Sequence, residues 1–252
     1  MSYLKAIESR DTSQYAAVGN LLWGAGGKLY GVSLGQVFSL TPPKGGADAW
    51  IPSVLLQFPD NLSPKTGVIS DPSGALYGTT SLGGPANVGT VYMLTPPAKG
   101  QTSWTETTLY AFQGGTADGA TPTGSIVRDS SGNLYGTTSA GGADTVGTVF
   151  MLAPPAEGQS AWTETLLHSF SVHDGDQPLG GLTKTPGDVL YGTTEGGGAG
   201  GGPSGGVVFK LTPPKSGQGW IESTVYDFST SSRPTGPDDP KATVIRSKTG
   251  VL

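Results

Sequence analysis

Cysteine is missing from this chain of 252 residues, so neither a disulfide scaffold nor a thiolate metal site is open to it. Charge is scarce too: Asp, Glu, Lys and Arg make up 13% of the residues, and the net charge is -5. A nucleic-acid binder needs a basic stripe to displace counterions from phosphates, which argues against that class. No apolar run approaches the roughly 18 residues that span a bilayer as a helix. Residues 1–8 lack the basic stretch, the apolar stretch and the small-residue cleavage pattern of an export signal. Histidine is limited to His168 and His173, and no catalytic constellation stands out.

What is abundant is glycine and proline, 42 and 20 residues, near the level at which disorder competes with folding. Here they fall at fixed places in a repeat. Leu-Tyr-Gly recurs at Tyr30, Tyr77, Tyr135 and Tyr191, each time followed by an aliphatic-aromatic strand, a Pro-Pro pair, a Trp and a second apolar strand ending in Phe. A unit of roughly 50 to 60 residues filled with short strands is the signature of a repeat array. In the third copy the spacing predicts strands over residues 124–129, 134–138, 147–152 and 162–170. A Ser-Ser-Gly-Asn turn, a Gly-rich loop over 139–146, and the strand-stopping Pro154-Pro155 separate them.

Four short strands with tight turns, repeated and with no helical period between them, predict an all-β fold: a β-propeller of four-stranded blades. The units run approximately 19–58, 66–112, 124–170 and 180–228 within one domain, 1–252. Residues 3–9 match a fourth strand and 242–252 begin a first and second. These ends predict about five blades, the last one incomplete, with the N-terminal strand closing the ring. They also suit a piece of a longer product.

The segments over 75–97 (ALYGTTSLGGPANVGTVYMLTPP) and 132–155 (GNLYGTTSAGGADTVGTVFMLAPP), with the linking segments 112–132 and 170–187, resemble the GloVer tandem repeat. The likeness covers essentially the whole chain. It implies a bacterial protein, extracellular or displayed on the cell surface, and it brings no activity with it. The first copy departs from the pattern, with Val32-Ser33 after Leu-Tyr-Gly and almost no Gly loop.

In a propeller, the loops joining strands two and three share a face with the loops linking one blade to the next. That places the Gly-rich segments (83–85, 141–142, 196–202) beside an acidic set: Asp60, Asp118, Asp174, Asp176, Asp238 and Asp239. Variable loops on a rigid scaffold are where binding usually sits. The candidate binding residues are Asp118, His173, Asp174, Asp176, Asp238 and Asp239. Asp174 and Asp176 flank Gly175, a pattern that could supply oxygen ligands to calcium or simply form a turn, as Asp118-Gly119 does at the matching position. The repeated Trp50, Trp104, Trp162 and Trp220 read as packing between blades, with stacking on sugar rings as the alternative. Glu106, Glu164 and Glu222 read as guards of an edge strand. His168 stands where other copies have Tyr110 and Tyr226.

Three functional readings follow. The first is a non-enzymatic scaffold that binds an extracellular protein or glycan through its loop face. The second is a metal-assisted hydrolase or lyase acting on extracellular polysaccharide. The third is a spacer within a longer surface protein. An enzyme would place residues unique to certain blades at the axis, whereas this chain mostly repeats, which favours binding or scaffolding.

Overall fold

The computed structural model describes residues 17–245 and 247, apart from 34, 46–48, 60–61, 63, 203–204, 216–218 and 230–239. Seventeen strands form four antiparallel sheets, and among the described residues there is no α-helix, only a single 3-10 turn at Ala25–Gly27. The first sheet comprises β1 (Ala17–Trp23), β2 (Leu29–Ser33), β3 (Gln36–Thr41) and β4 (Ile51–Gln57). The second comprises β5 (Ile69–Ser70), β6 (Leu76–Thr80), β7 (Thr90–Thr95) and β8 (Thr105–Ala111). In the third are β9 (Gly119–Pro122), β10 (Val127–Arg128), β11 (Leu134–Gly141), β12 (Thr148–Ala153) and β13 (Thr163–Ser169). The fourth holds β14 (Thr183–Lys184), β15 (Leu190–Thr193), β16 (Val207–Thr212) and β17 (Ile221–Asp227).

Each sheet is a meander in chain order, and β9 adds to the third by pairing with the far end of β11. These are blade-like sheets that fit a propeller. The expected strand over 124–129 shrinks to two residues, and β11 runs into the expected loop as far as Gly141. Proline ends the third strand as predicted: β12 stops at Ala153, immediately before Pro154. The segments expected to begin and close a fifth blade, 3–9 and most of 242–252, lie outside the described residues.

Three buried clusters lie between successive sheets, where apolar faces are removed from water. The second and third sheets are covered on both sides, whereas the first and fourth carry exposed apolar residues such as Leu21, Trp23, Ile221 and Val225. The contact at each seam is the same. The Phe that follows a fourth strand meets the aromatic ring of the next sheet's third strand edge-on: Phe58 with Tyr92 at 5.1 Å, Phe112 with Phe150 at 5.1 Å and Phe170 with Phe209 at 5.0 Å. Edge-to-face pairs of this kind add to the area they bury. The N–H of the same Phe, at 58, 112, 170 and 228, donates to the carbonyl of Gly35, Gly89, Gly147 or Gly206 beside the start of the third strand.

Within each sheet the Leu-Tyr-Gly glycine serves that aromatic residue. Gly31, Gly78, Gly136 and Gly192 pair across strands with Phe38, Tyr92, Phe150 and Phe209. A Cβ on Gly136 would stand 2.6 Å from the Phe150 ring, so the glycine is the seat on which the ring lies. All four outer strands carry a β-bulge at the same register, next to this aromatic residue. The bulge turns Leu109 and Leu167 into the seam, where both are buried.

The repeated tryptophans pack between sheets. Trp104 stands edge-on to Tyr30 at 6.1 Å and Trp220 to Tyr135 at 6.2 Å, and Trp162 joins the cluster that holds Tyr77. Trp104, Trp162 and Trp220 therefore lie on the side of the Leu-Tyr-Gly tyrosine of the sheet before them.

Candidate functional site

The face expected to bind is built from two kinds of loop, and the structure brings them together. Gly142, between β11 and β12, donates its N–H to the carbonyls of Gly115 and Asp118 in the loop that follows β8. One sheet further on, Gly198 donates to Val172, and Asp176 and Gly196 exchange N–H···O bonds at 2.8 and 2.9 Å. Both of these inter-sheet loops are thus fastened to the Gly-rich loop of the next sheet. Left-handed backbone makes this possible: Gly141 and Gly142 hold φ of 81° and 82°, and a Cβ on Gly141 would meet the Asp118 carbonyl at 2.4 Å.

Asp118 is buried, and its carboxylate is used internally. Oδ2 accepts from the Tyr110 hydroxyl (3.0 Å) and the Gln113 N–H (2.7 Å), and Oδ1 from the Gly119 N–H (2.6 Å). Asp174 repeats the arrangement with His168 in place of Tyr110. Its Oδ2 lies 3.1 Å from His168 Nε2, and Oδ1 accepts from the Ser171 N–H (2.7 Å) and hydroxyl (3.0 Å). Burial pushes the Asp174 carboxyl up, but the bonds from His168 and Ser171 outweigh it and hold the group below the ordinary range. Ser171, Asp174 and His168 do not form a nucleophile relay, because Ser171 and His168 both bind the carboxylate and not each other.

His173 is exposed, with its ring beside Gly201. Asp176 keeps its carboxyl above the ordinary range through burial first, eased by hydrogen bonds from Gln177 and reinforced by the nearby Glu195 charge. Asp60, Asp238 and Asp239 lie outside the described residues. Among the described residues, no group of three or more His, Cys, Asp or Glu side chains is placed to hold a metal ion. The structure therefore joins Asp118 and Asp174 to their own loops and leaves His173 at the surface.

Two sets of residues escape a reading of the sequence. The first comprises Asp71 and Asp129, six residues before Tyr77 and Tyr135. Asp129 accepts from the Ser131 and Asn133 N–H groups, the Asn133 side chain and the Tyr135 hydroxyl. Asp71 does the same work with Ser73, Ala75 and Tyr77. Burial and then these bonds push Tyr77 and Tyr135 up to about 12. The available signal was Asp at a fixed offset from Tyr in two copies, with Thr185 and Gly24 in the other two.

The second set is Glu164 and Glu222. They do not guard a solvent edge as their outer-strand position suggests. Both are half-buried at the seam with the preceding sheet, each with an Oε1 that is buried and has no hydrogen-bond partner among the described residues. Glu106, at the matching place in β8, is exposed. Outer-strand residues alternate sides, and the side that carries Trp162 and Glu164 faces the neighbour.

No helix among the described residues is long and apolar enough to cross a membrane. A comparison with curated proteins finds none that matches. The model of the Gloeobacter/Verrucomicrobia repeat matches residues 17–252, a span that holds all four sheets, so this chain belongs to the Gloeobacter/Verrucomicrobia repeat family.

Proposed function

We propose that this protein is a non-enzymatic scaffold of the cell exterior whose loop face holds an extracellular glycan or protein. The observation that carries the reading is the contrast between frame and tips on that face. The frame repeats: Gly142 and Gly198 anchor successive Gly-rich loops to the loops that follow β8 and β13. The tips differ from sheet to sheet and are exposed, with Pro85 and Ala86 on one, Ala143 and Asp144 on the next, and Ala199 and Gly200 on the third. A fixed frame with variable tips is how a scaffold carries a binding surface. Small and nearly uncharged tips suit a neutral polymer such as a polysaccharide. The carboxylates of buried Asp118 and half-buried Asp174 are engaged in holding their own loops, which speaks for scaffolding over catalysis.

The test is retention of the purified protein on peptidoglycan, cellulose, chitin and an immobilised acidic exopolysaccharide, alongside a variant with residues 143–145 and 199–202 replaced by Gly-Ser. The expected result is retention on at least one surface, lost in the variant without a drop in Tm. Retention by neither protein, or equal retention by both, overturns the proposal.

A further inference from the structure

The seams between the second and third sheets and between the third and fourth share a constellation that the loop face does not explain. On one side stands a fourth-strand ring bound to a loop aspartate: Tyr110 with Asp118, then His168 with Asp174. Facing it, from the next outer strand, is a glutamate with a buried oxygen that has no partner among the described residues: Glu164, then Glu222. The first seam lacks the set, since Leu56 takes the place of Tyr110 and Glu106 is exposed.

We propose that Glu164 and Glu222 are acid-closed latches on the second and third seams: neutral, each fits its seam, and ionised, each sets a second negative charge beside the aspartate there. An anionic oxygen without a donor is costly in a buried place, and the neighbouring aspartate adds like-charge repulsion. Burial first, and then the Asp118 charge, push the Glu164 carboxyl up to about 7. Burial also raises Glu222, eased by the His168 charge and reinforced by Asp174.

The other groups near Glu164 do not neutralise it. Tyr110 is itself raised by burial, by its bond to Asp118 and by the Asp118 and Glu164 charges, and so stays a neutral phenol. Arg128 is in the same cross-sheet row as Glu164 (Arg128, Leu134, Leu152, Glu164) but three strands away, and its charge acts on Tyr77. At the third seam, His168 spends its Nε2 on Asp174. The latch stands independently of what the loop face binds.

The sign is fixed by linkage. Glutamates with folded-state values above the unfolded one stabilise the fold most at acid pH, and that advantage is lost as pH rises through the folded value. The experiment is urea unfolding of the whole chain at pH values from 5 to 8.5, for the native sequence, Glu164→Gln and Glu222→Gln. Glu164→Gln removes one titration, so the ratio of its unfolding constant to that of the native protein falls about tenfold between pH 5 and 8.5, the partial exposure of the group having reduced the full linkage effect. Backbone amide exchange at 113–119, corrected for intrinsic base catalysis, accelerates with pH in the native protein and less in Glu164→Gln. If either Gln variant folds poorly, the native protein's exchange at 113–119 and 171–175 decides. Parallel pH profiles for native and Gln proteins, or seam exchange that does not change with pH, overturn the proposal.

Discussion

The glycine beneath each third-strand ring offers the sharpest test of how these sheets are built. Gly136 has ordinary extended backbone, so alanine is conformationally permitted there. The obstacle is its neighbours: the added methyl would lie 2.6 Å from Phe150 and 3.0 Å from Ile126. Both side chains are fully buried, and Phe150 is held by Phe112 across the seam. Overpacking of this kind costs about 1–3 kcal/mol, against about 0.4–1 kcal/mol gained by restricting the unfolded chain. Gly136→Ala should therefore destabilise the protein by about 1–2 kcal/mol. Gly31 has the same clash on paper, 2.5 Å to Phe38 and 2.7 Å to Leu21. There, however, Phe38 is only half-buried and Leu21 is 49% exposed, so both can swing aside and Gly31→Ala should be close to neutral. Urea midpoints at constant m-value measure both. Adding Phe150→Leu should recover part of the Gly136→Ala cost, with a coupling of about 1 kcal/mol. Equal costs at Gly31 and Gly136, or additivity between the Gly136 and Phe150 changes, would refute the idea that the glycine is a seat for the ring.

Two further outcomes follow from the buried polar groups. Thr138 and Thr148 share a hydroxyl–hydroxyl bond of 2.7 Å in a fully buried position. Thr138→Val leaves the Thr148 hydroxyl unpaired and should cost about 1–3 kcal/mol, whereas the Thr138→Val/Thr148→Val pair should cost less than the sum of the single changes in the same urea assay. In Asp129, burial pushes the carboxyl up but the bonds from Asn133, Tyr135 and Ser131 hold it below its ordinary value. Its stabilisation is therefore present above the unfolded value near about 4 and lost as pH falls through the lower folded one. Asp129→Asn should flatten the acid limb of a pH-dependent melt, and an unchanged limb would count against that role.

The repeat, the four strands per unit, the Pro stops and the Trp packing were legible because each depends on local chemistry or on periodicity. Trp162 could be assigned to packing from recurrence alone. The division of labour inside the Leu-Tyr-Gly motif could not, since it takes the pairing of Gly136 with Phe150 on another strand to reveal why the glycine is there. Glu164 misled for a related reason. Its strand does turn a side toward solvent, that of Thr163 and Thr165, but this glutamate is on the other side, at the seam with the preceding sheet. Asp118 was recognised as a loop residue matching Asp174. Its burial and its bond to Tyr110 depend on how two loops fold back together, which spacing does not encode.

The interchangeable boundary chemistry has a consequence for how such genes change length. Because Tyr110, Asp118 and Glu164 are reproduced in kind by His168, Asp174 and Glu222, a duplicated unit spliced in at that point meets matching partners on both flanks. The junction marked by Leu56 and the solvent-facing Glu106 offers no such match. An added unit should therefore be accommodated more readily at the second and third seams than at the first.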